Sequence, residues 1–284
     1  MRDFPFKADI KRLVRKARLA YRRRFQAFGP AELDRTLAHL GIVAGDVVMV
    51  HSAFDKFSAF TGKPLDAIHV LQERVGPTGL LTMPTLPFGG TAIAWAEEKK
   101  VFDVRRTPSQ VGLLTEMFRR MPGVVRSVHP THSVAAWGAR ADEFVAGHHA
   151  AATPCGAGTP YARLAERNGK ILFLGTGIDV ITYFHTVEEE LEALMPFSPF
   201  TREVYVMISQ DAAGQRVETR TRLFDPAVSR RRNMGILVPV LKAQGAWREA
   251  RVGTLDAILL NARDVSRIAR SMAERGEFCY DRGQ

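Results

Sequence analysis

The chain has 284 residues, 46 % apolar and 25 % charged, the proportions of a globular protein with an ample core. No apolar run approaches the ~18–20 residues of a membrane-spanning helix, the basic N-terminus leads into no secretory apolar stretch, and the two cysteines, Cys155 and Cys279, have neither a disulfide framework nor a metal spacing, so a reducing cytoplasm is expected. The net charge of +10 is local: residues 1–24 hold ten basic and two acidic residues, a net of +8, which leaves +2 for the other 260.

Ile10, Leu13, Val14, Ala17, Tyr21, Phe25 and Phe28 predict an amphipathic helix over 8–28, its other face filled by Lys11, Arg12, Arg15, Lys16, Arg18 and the arginines 22–24. Such a face is ordinarily solvated; it also suits an anionic lipid or glycan surface, or a neighbouring subunit. Nucleic acid is not expected, because no aromatic stacking surface accompanies the charge. A second helix opens at Pro30 and closes at Gly41. A β-branched strand over 47–50 ends in His51-Ser52. A helix over 64–75 starts with Pro64 in its first turn, and after a turn a strand over 80–83 is stopped by Pro84. Residues 85–106 read as a loop acting as flap or lining. Thr107, Pro108 and Gln110 have the spacing of a capped helix start, and that helix should run to about 120. Loop then strand is expected over 124–138, a helix near 140–147, a small-residue loop over 153–160, a helix over 161–168 and a strand over 171–174. Beyond about 195 come a hairpin around Ala212-Ala213-Gly214, a helix over 234–243, a strand-and-turn stretch over 250–259 and a closing helix over 261–275. Strands alternating with helices predict α/β layers with a smaller β element added late. No linker or repeat divides the chain, so a single domain over 1–284 is expected.

The first candidate chemistry follows the strand over 171–174. A Gly175-Thr176-Gly177 turn leads into a helical pattern in which Thr182, His185 and Glu188 recur every three residues and share a face. An imidazole with a carboxylate one turn away suits a general base. The plainer alternative is a packed histidine beside a solvated acidic run, Glu188-Glu189-Glu190. In the stretch 126–133, His129 and His132 lack a third metal ligand; Arg126, Ser127 and the histidines fit better as contacts to phosphates or a thioester. His51-Ser52 ends a strand, but no Gly-x-Ser-x-Gly elbow surrounds Ser52, so a hydrolase triad is weakly supported and a capping serine is plainer. Cys155 sits among small residues and is a candidate acyl-enzyme nucleophile, though nothing local activates it. Arg230-Arg231-Arg232 reads as surface or as the mouth of a substrate site. There is no Walker-type loop and no Gly-x-Gly-x-x-Gly, which disfavours nucleotide hydrolysis and dinucleotide redox.

Together the stretches 45–52, 76–85, Phe102-Asp103, Thr107-Pro108-Ser109, 122–130 with Ser133, Ala136 and Gly138, Gly158-Thr159-Pro160 and Thr182-x-x-His185-x-x-Glu188 resemble the aminoglycoside 3-N-acetyltransferase family. They lie in order from about 33 to 190, so the resemblance covers most of the chain. It implies a three-layer α/β/α sandwich around a mixed central sheet, with a small C-terminal β element. It also implies direct acetyl transfer from acetyl-CoA to an amino group of an aminoglycoside or other amino sugar, without a metal, and so antibiotic resistance. By matching position, His185 looks like the general base, Glu188 the acid that orients it, and Thr182 the hydroxyl beside the acetyl group. The cofactor side falls to His51, Ser52, Arg126, Ser127, Ser133 and Thr176, with Arg126 toward the CoA phosphates. Two features depart from the family pattern. The basic helix over 1–28 looks like an addition. The stretch of about 195–245, read as an acceptor-side insertion, carries Arg202, Arg216, Arg220, Arg222 and Arg230 to Arg232, which points to an acceptor less cationic than an aminoglycoside. The expected partners are the small amine acceptor, an anionic surface for the basic helix and a second copy in a homodimer. The alternative from another class is a catalytically silent relative, a CoA- or glycan-binding or assembly module working through that helix.

Overall fold

The computed structural model describes residues 13–14 and 24–281. The basic helix expected over 8–28 therefore lies largely outside the described residues. In chain order the helices and strands are α1 (Pro30–Leu40), β1 (Val47–Ser52), α2 (Pro64–Val75), β2 (Leu80–Pro84), α3 (Ala92–Glu97), β3 (Phe102–Asp103), α4 (Leu113–Phe118) and β4 (Val125–Arg126). They continue with β5 (Val134–Gly138), α5 (Ala141–Val145), α6 (Pro160–Glu166), β6 (Lys170–Leu174), α7 (Phe184–Glu190), β7 (Phe200–Gln210) and β8 (Arg216–Phe224). The last are α8 (Pro226–Ser229), α9 (Leu237–Ala243), β9 (Arg248–Val252), β10 (Leu255–Asn261) and α10 (Ala262–Ala273). No helix among the described residues is long and apolar enough to cross a membrane.

A seven-stranded sheet in the order β4-β5-β2-β1-β6-β10-β9 forms the centre. Its middle three strands, β2, β1 and β6, are parallel, and β5 and β10 flank them antiparallel. Strands buried on both faces should be continuously apolar, as in 47–50 and 171–174. Successive side chains point to opposite faces. Met49, Ile171 and Phe173 therefore enter one core with helices α5, α6, α7, α9 and α10. Val48, Val50, Leu172 and Leu174 enter the other with α1, α2 and α4. The result is the three-layer α/β/α sandwich expected, around a mixed sheet. A second sheet, β3-β7-β8, stands beside it, and Phe200 and Phe224 from its base reach into the first core.

Helix ends follow local chemistry. Lys63 N–H donates to Asp66 Oδ2 at 2.6 Å at the start of α2, and Asn261 Oδ1 accepts from Arg263 N–H at 2.9 Å at the start of α10. Gly41 closes α1 with a left-handed φ of 96°. Two sequence expectations need correction. The loop over 85–106 contains α3 and β3, and β3 pairs with Ser209 and Gln210 of β7. The helix expected from Thr107 begins only at Leu113. Thr107 Oγ1 accepts instead from Asp103 N–H at 2.8 Å, while Glu116 reaches back from inside the helix to accept from Ser109 N–H at 2.7 Å. The groups that would have capped a helix at 107 tie down the preceding loop.

Candidate active site

The parallel order β2-β1-β6 makes β1 the point where the chain turns from one half of the sheet to the other. Open α/β sheets bind ligands beyond the carboxyl ends of the strands at such a point. Those ends carry Pro84 on β2, His51-Ser52 on β1 and the 175–177 turn after β6. A cavity of about 480 Å³ opens there, lined by His51, Ser52, Ala53, Pro84, Thr176 and Thr182 among others. Gly175 forms the turn with φ 70°, and a Cβ there would lie 2.6 Å from Lys56 Cβ and 3.1 Å from Ala53 O, so no larger residue fits. His51 is stacked on Phe173 at 5.2 Å. Its Nε2 and Ser52 Oγ are buried without a hydrogen-bond partner among the described residues. Buried polar atoms are rarely left so. Burial pulls the pKa of His51 down to about 4.

Thr182 is not on the helix that carries His185. A short 3₁₀ turn, Ile178–Val180, follows the glycine turn, and α7 starts at Phe184. Thr182 precedes it by one turn, its carbonyl accepting from His185 N–H at 3.1 Å. The structure thus puts Thr182 on the cavity wall and His185 one turn behind it.

His185 and Glu188 meet as their spacing predicts: Nδ1 lies 2.7 Å from Glu188 Oε2. Glu188 is 1 % exposed, His185 15 %. Arg232 grips the same carboxylate as a fork, Nε to Oε1 at 2.7 Å and Nη2 to Oε2 at 3.0 Å, and Tyr280 OH donates to Oε1. Arg232 Nη2 is also 3.3 Å from His185 Nδ1. The shorter contact decides the tautomer: Nδ1 carries hydrogen and donates to Glu188, and Nε2 is left as the acceptor. Phe224 stacks on the imidazole at 3.8 Å between centroids, and His132 meets its edge at 5.9 Å. Burial raises the pKa of Glu188, but His185 and Arg232 outweigh it and hold it at about 2. Burial and Arg232 pull His185 below 6.5 against the opposing pull of Glu188. At neutral pH the pair is a neutral imidazole and a carboxylate.

The stretch 126–133 is bonded mainly within the protein. Arg126 Nε is 3.0 Å from Thr85 Oγ1 and Ser133 Oγ, Nη1 donates to Thr107 O at 2.6 Å, and Nη2 donates to Thr85 O at 2.6 Å. Its guanidinium lies over the Phe102 ring at 4.6 Å, and burial with neighbouring Arg119 pulls its pKa down to about 9. Most of the Arg126 donors are thus used internally. Ser133 Oγ bonds Thr85. Ser127 Oγ accepts from Val134 N–H and faces His148 Nδ1, both at 2.8 Å. All three serve as ties between loop and sheet. His129 Nδ1 accepts backbone N–H groups from Thr131 and His132, a use that closes the loop.

Cys155 is buried, and burial and the nearby Glu189 and Glu188 push its thiol well above the ordinary range, the opposite of an activated thiolate. Of the arginines beyond 195, Arg220 pairs with Glu218 at 2.7 Å and Arg222 with Glu192 at 3.5 Å. Arg232, expected at the surface or at a substrate mouth, is 17 % exposed on Glu188. The region is therefore less basic in space than in sequence. The sequence offers Arg232 only as one of a run and does not offer Tyr280 at all.

The family model for aminoglycoside 3-N-acetyltransferase matches residues 49–274. Aminoglycoside N(3)-acetyltransferase VIII of Streptomyces fradiae is 31 % identical over 269 residues, covering 85 % of this chain and 91 % of the relative. The crystal structure of AAC(3)-Xa aligns with a TM-score of 0.77 at 29 % identity, over 93 % of this chain and 99 % of that one. AAC-IIIb in a binary complex with CoASH aligns with a TM-score of 0.72 at 25 % identity, over 90 % and 99 %. Other similar structures hold a gentamicin, on AAC(3)-IVa, or sisomicin, on AAC-VIa. The chain is an acyltransferase and belongs to the aminoglycoside 3-N-acetyltransferase family.

Proposed function

We propose that the protein transfers the acetyl group of acetyl-CoA to an amino group of an aminoglycoside or related amino sugar, with His185 as general base. One observation carries the reading: His185 Nδ1 lies 2.7 Å from a buried, ionised Glu188, which leaves Nε2 as the free acceptor. Acetyl-CoA supplies the acetyl group as a thioester and leaves as the thiol. An acceptor amine is an ammonium at neutral pH and attacks only as the free base. His185 Nε2 takes a proton from the bound ammonium so that the free amine attacks, Glu188 stabilises the imidazolium through Nδ1, and the second amine proton is released as the C–N bond forms. The thiolate leaving group takes a proton back. Thr182 and the backbone N–H groups of Thr176 and Gly177 are the candidate donors to the charge developing on the carbonyl oxygen; Gly175 N–H already donates to Asp256 O at 2.8 Å. His51 Nε2, Ser52 Oγ and Thr176 are the candidate contacts to the pantetheine arm in the cavity. Arg126, Ser127 and Ser133 support that wall from behind. Among solved relatives, one complex with CoASH and others with a gentamicin or sisomicin support both halves of the reading.

The chain acts as one domain over 1–284, with 195–245 on the acceptor side. A silent binding module is less well supported, because a carboxylate buried beside a desolvated imidazole is costly to keep without a chemical use.

The test is thiol release from acetyl-CoA against gentamicin, sisomicin, neutral amino sugars and nucleotide amino sugars. His185→Ala should lower kcat by about 10²–10⁴-fold. A variant with more than a tenth of the original rate would remove His185 as the base. Because His185 titrates below 6.5, the acid limb of kcat/KM should lie below that pH: activity requires the neutral ring and is lost as pH falls through its pKa. A limb above pH 7 would contradict the assignment.

A further inference from the structure

Resting on His185 as the base, we propose that Arg232 and Tyr280 are positioning residues for its proton transfer, acting through Glu188. A carboxylate offers about four acceptor directions, and here the described contacts occupy them. Arg232 Nε and Tyr280 OH meet Oε1; His185 Nδ1 and Arg232 Nη2 meet Oε2. One salt bridge is enough to compensate a buried charge. A planar two-pronged fork also fixes the plane of the carboxylate, and a hydroxyl on the remaining lone pair of Oε1 stops it swinging. Oε2 is thereby held in line with Nδ1, which keeps hydrogen on that nitrogen and the lone pair on Nε2.

The two clamps come from different elements and are tied to each other. Arg232 follows α8, Tyr280 follows α10, and the two residues form an antiparallel bridge. Asn233 N–H donates to Cys279 O at 2.9 Å, Asp281 N–H donates to Arg231 O at 2.8 Å, and Asn233 Nδ2 donates to Asp281 Oδ1 at 2.7 Å. Phe197 meets the Tyr280 ring edge-on at 5.0 Å, and Arg231 covers Phe197 at 5.1 Å. No strap residue is among those that line the 480 Å³ cavity; the strap's polar reach into the site ends on Glu188 and His185.

The clamp also divides the electrostatics. Arg232 favours the neutral ring between turnovers, and Glu188 favours the imidazolium once it forms. The other titratable groups facing the pair are His132, Cys155, Cys279 and Tyr280. Burial holds all four in their neutral forms, so the formal charges that touch the ring are those of Arg232 and Glu188, with the Glu277 carboxylate lining the pocket on the far side of Glu188.

The experiment compares Tyr280→Phe, Arg232→Lys and Arg232→Gln in the full chain, by steady-state kinetics over about pH 5 to 8 and by NMR titration of the His185 ring. Tyr280→Phe should lower kcat about 3- to 30-fold with KM for both substrates within about twofold, the pattern of a purely kinetic loss. Arg232→Gln should move the His185 midpoint and the acid limb to higher pH and lower kcat further. Arg232→Lys, which keeps the charge and loses the fork, should hold the midpoint near the original and recover only part of kcat. Should Arg232→Gln fail to fold, the other two variants decide. Unchanged kcat in Tyr280→Phe, a loss confined to KM, or full recovery in Arg232→Lys would overturn the proposal, as would an unmoved His185 midpoint in Arg232→Gln. The NMR midpoint requires no turnover. A wrong assignment of the base would show in His185→Ala kinetics, and a wrong clamp would show in the midpoint.

Discussion

At His185 the position of one hydrogen decides whether the ring can accept a proton. Glu188 is the residue that holds it on Nδ1, at 2.7 Å. In Glu188→Gln the amide has one oxygen where the carboxylate had two, and Arg232 still presents its fork. The amide nitrogen then turns toward Nδ1 and drives hydrogen onto Nε2. We expect kcat to fall by about 10²–10⁴-fold with the fold intact, read as thiol release alongside circular dichroism; a loss below fivefold would show that the tautomer does not matter. Cys155→Ser should keep kcat within about threefold, because its thiol is buried and proton-bound; abolished turnover would restore the acyl-enzyme route. His185 and Glu188 were legible in the sequence because a helix brings residues three apart together, and the turn after a strand marks where ligands sit. Arg232 and Tyr280 lie 44 and 92 residues from Glu188. No local spacing encodes contacts that long, so they emerge only from the packing of α8 and α10. Arg126 shows the same limit: its place beside serines says nothing of the Thr85 and Thr107 carbonyls that it bonds in the fold.

At the scale of elements, the sheet was readable because both-face burial leaves continuous apolar runs, and α2 because Pro64 and Gly76 bracket it. The start of α4 was not. Thr107 and Gln110 had the spacing of a capping box, but Thr107 Oγ1 accepts from Asp103 N–H and Gln110 N–H donates to Leu86 O. The two-residue β3 is too short for any periodicity, and the break between Thr182 and α7 falls inside an unbroken helical pattern. The 175–177 turn is where element geometry meets chemistry. Gly175→Ala forces a side chain into a left-handed φ and against Lys56 and Ala53. We expect a cost of about 1–3 kcal/mol in stability, with a drop in kcat as Thr176 and Thr182 shift on the cavity wall. Denaturant melts and kinetics on the same preparation measure both, and an unaltered midpoint would mean that the turn yields at no cost.

At the scale of the whole molecule, the histidines set an acid limit. Burial depresses His51 to about 4 and His148 to about 3, and pulls His129 and His132 well below 6.5. An unfolded chain titrates these rings near 6.5, so below that pH it binds more protons than the native state. Stability is thus full above about pH 6.5 and falls as pH drops. His51 alone withdraws roughly 3 kcal/mol by pH 4. Glu188, held at about 2, acts in the same direction at lower pH: its contribution is present above 4.5 and lost as pH falls through 2. The thermal midpoint should therefore drop by at least about 5 °C between pH 6.5 and 4.5, and a level profile there would mean that these rings take up protons without strain.

The strap that ends on Glu188 also gives the enzyme a birth order. Glu188 is made 92 residues before Tyr280. At roughly 5–20 residues per second, that interval lasts about 5–18 s on the ribosome. For that time His185 and Glu188 exist without the Tyr280 hydroxyl that completes their shell. The residues beyond α10 are the last of this shell to leave the ribosome, so a nascent chain acquires full turnover only after they have emerged and docked.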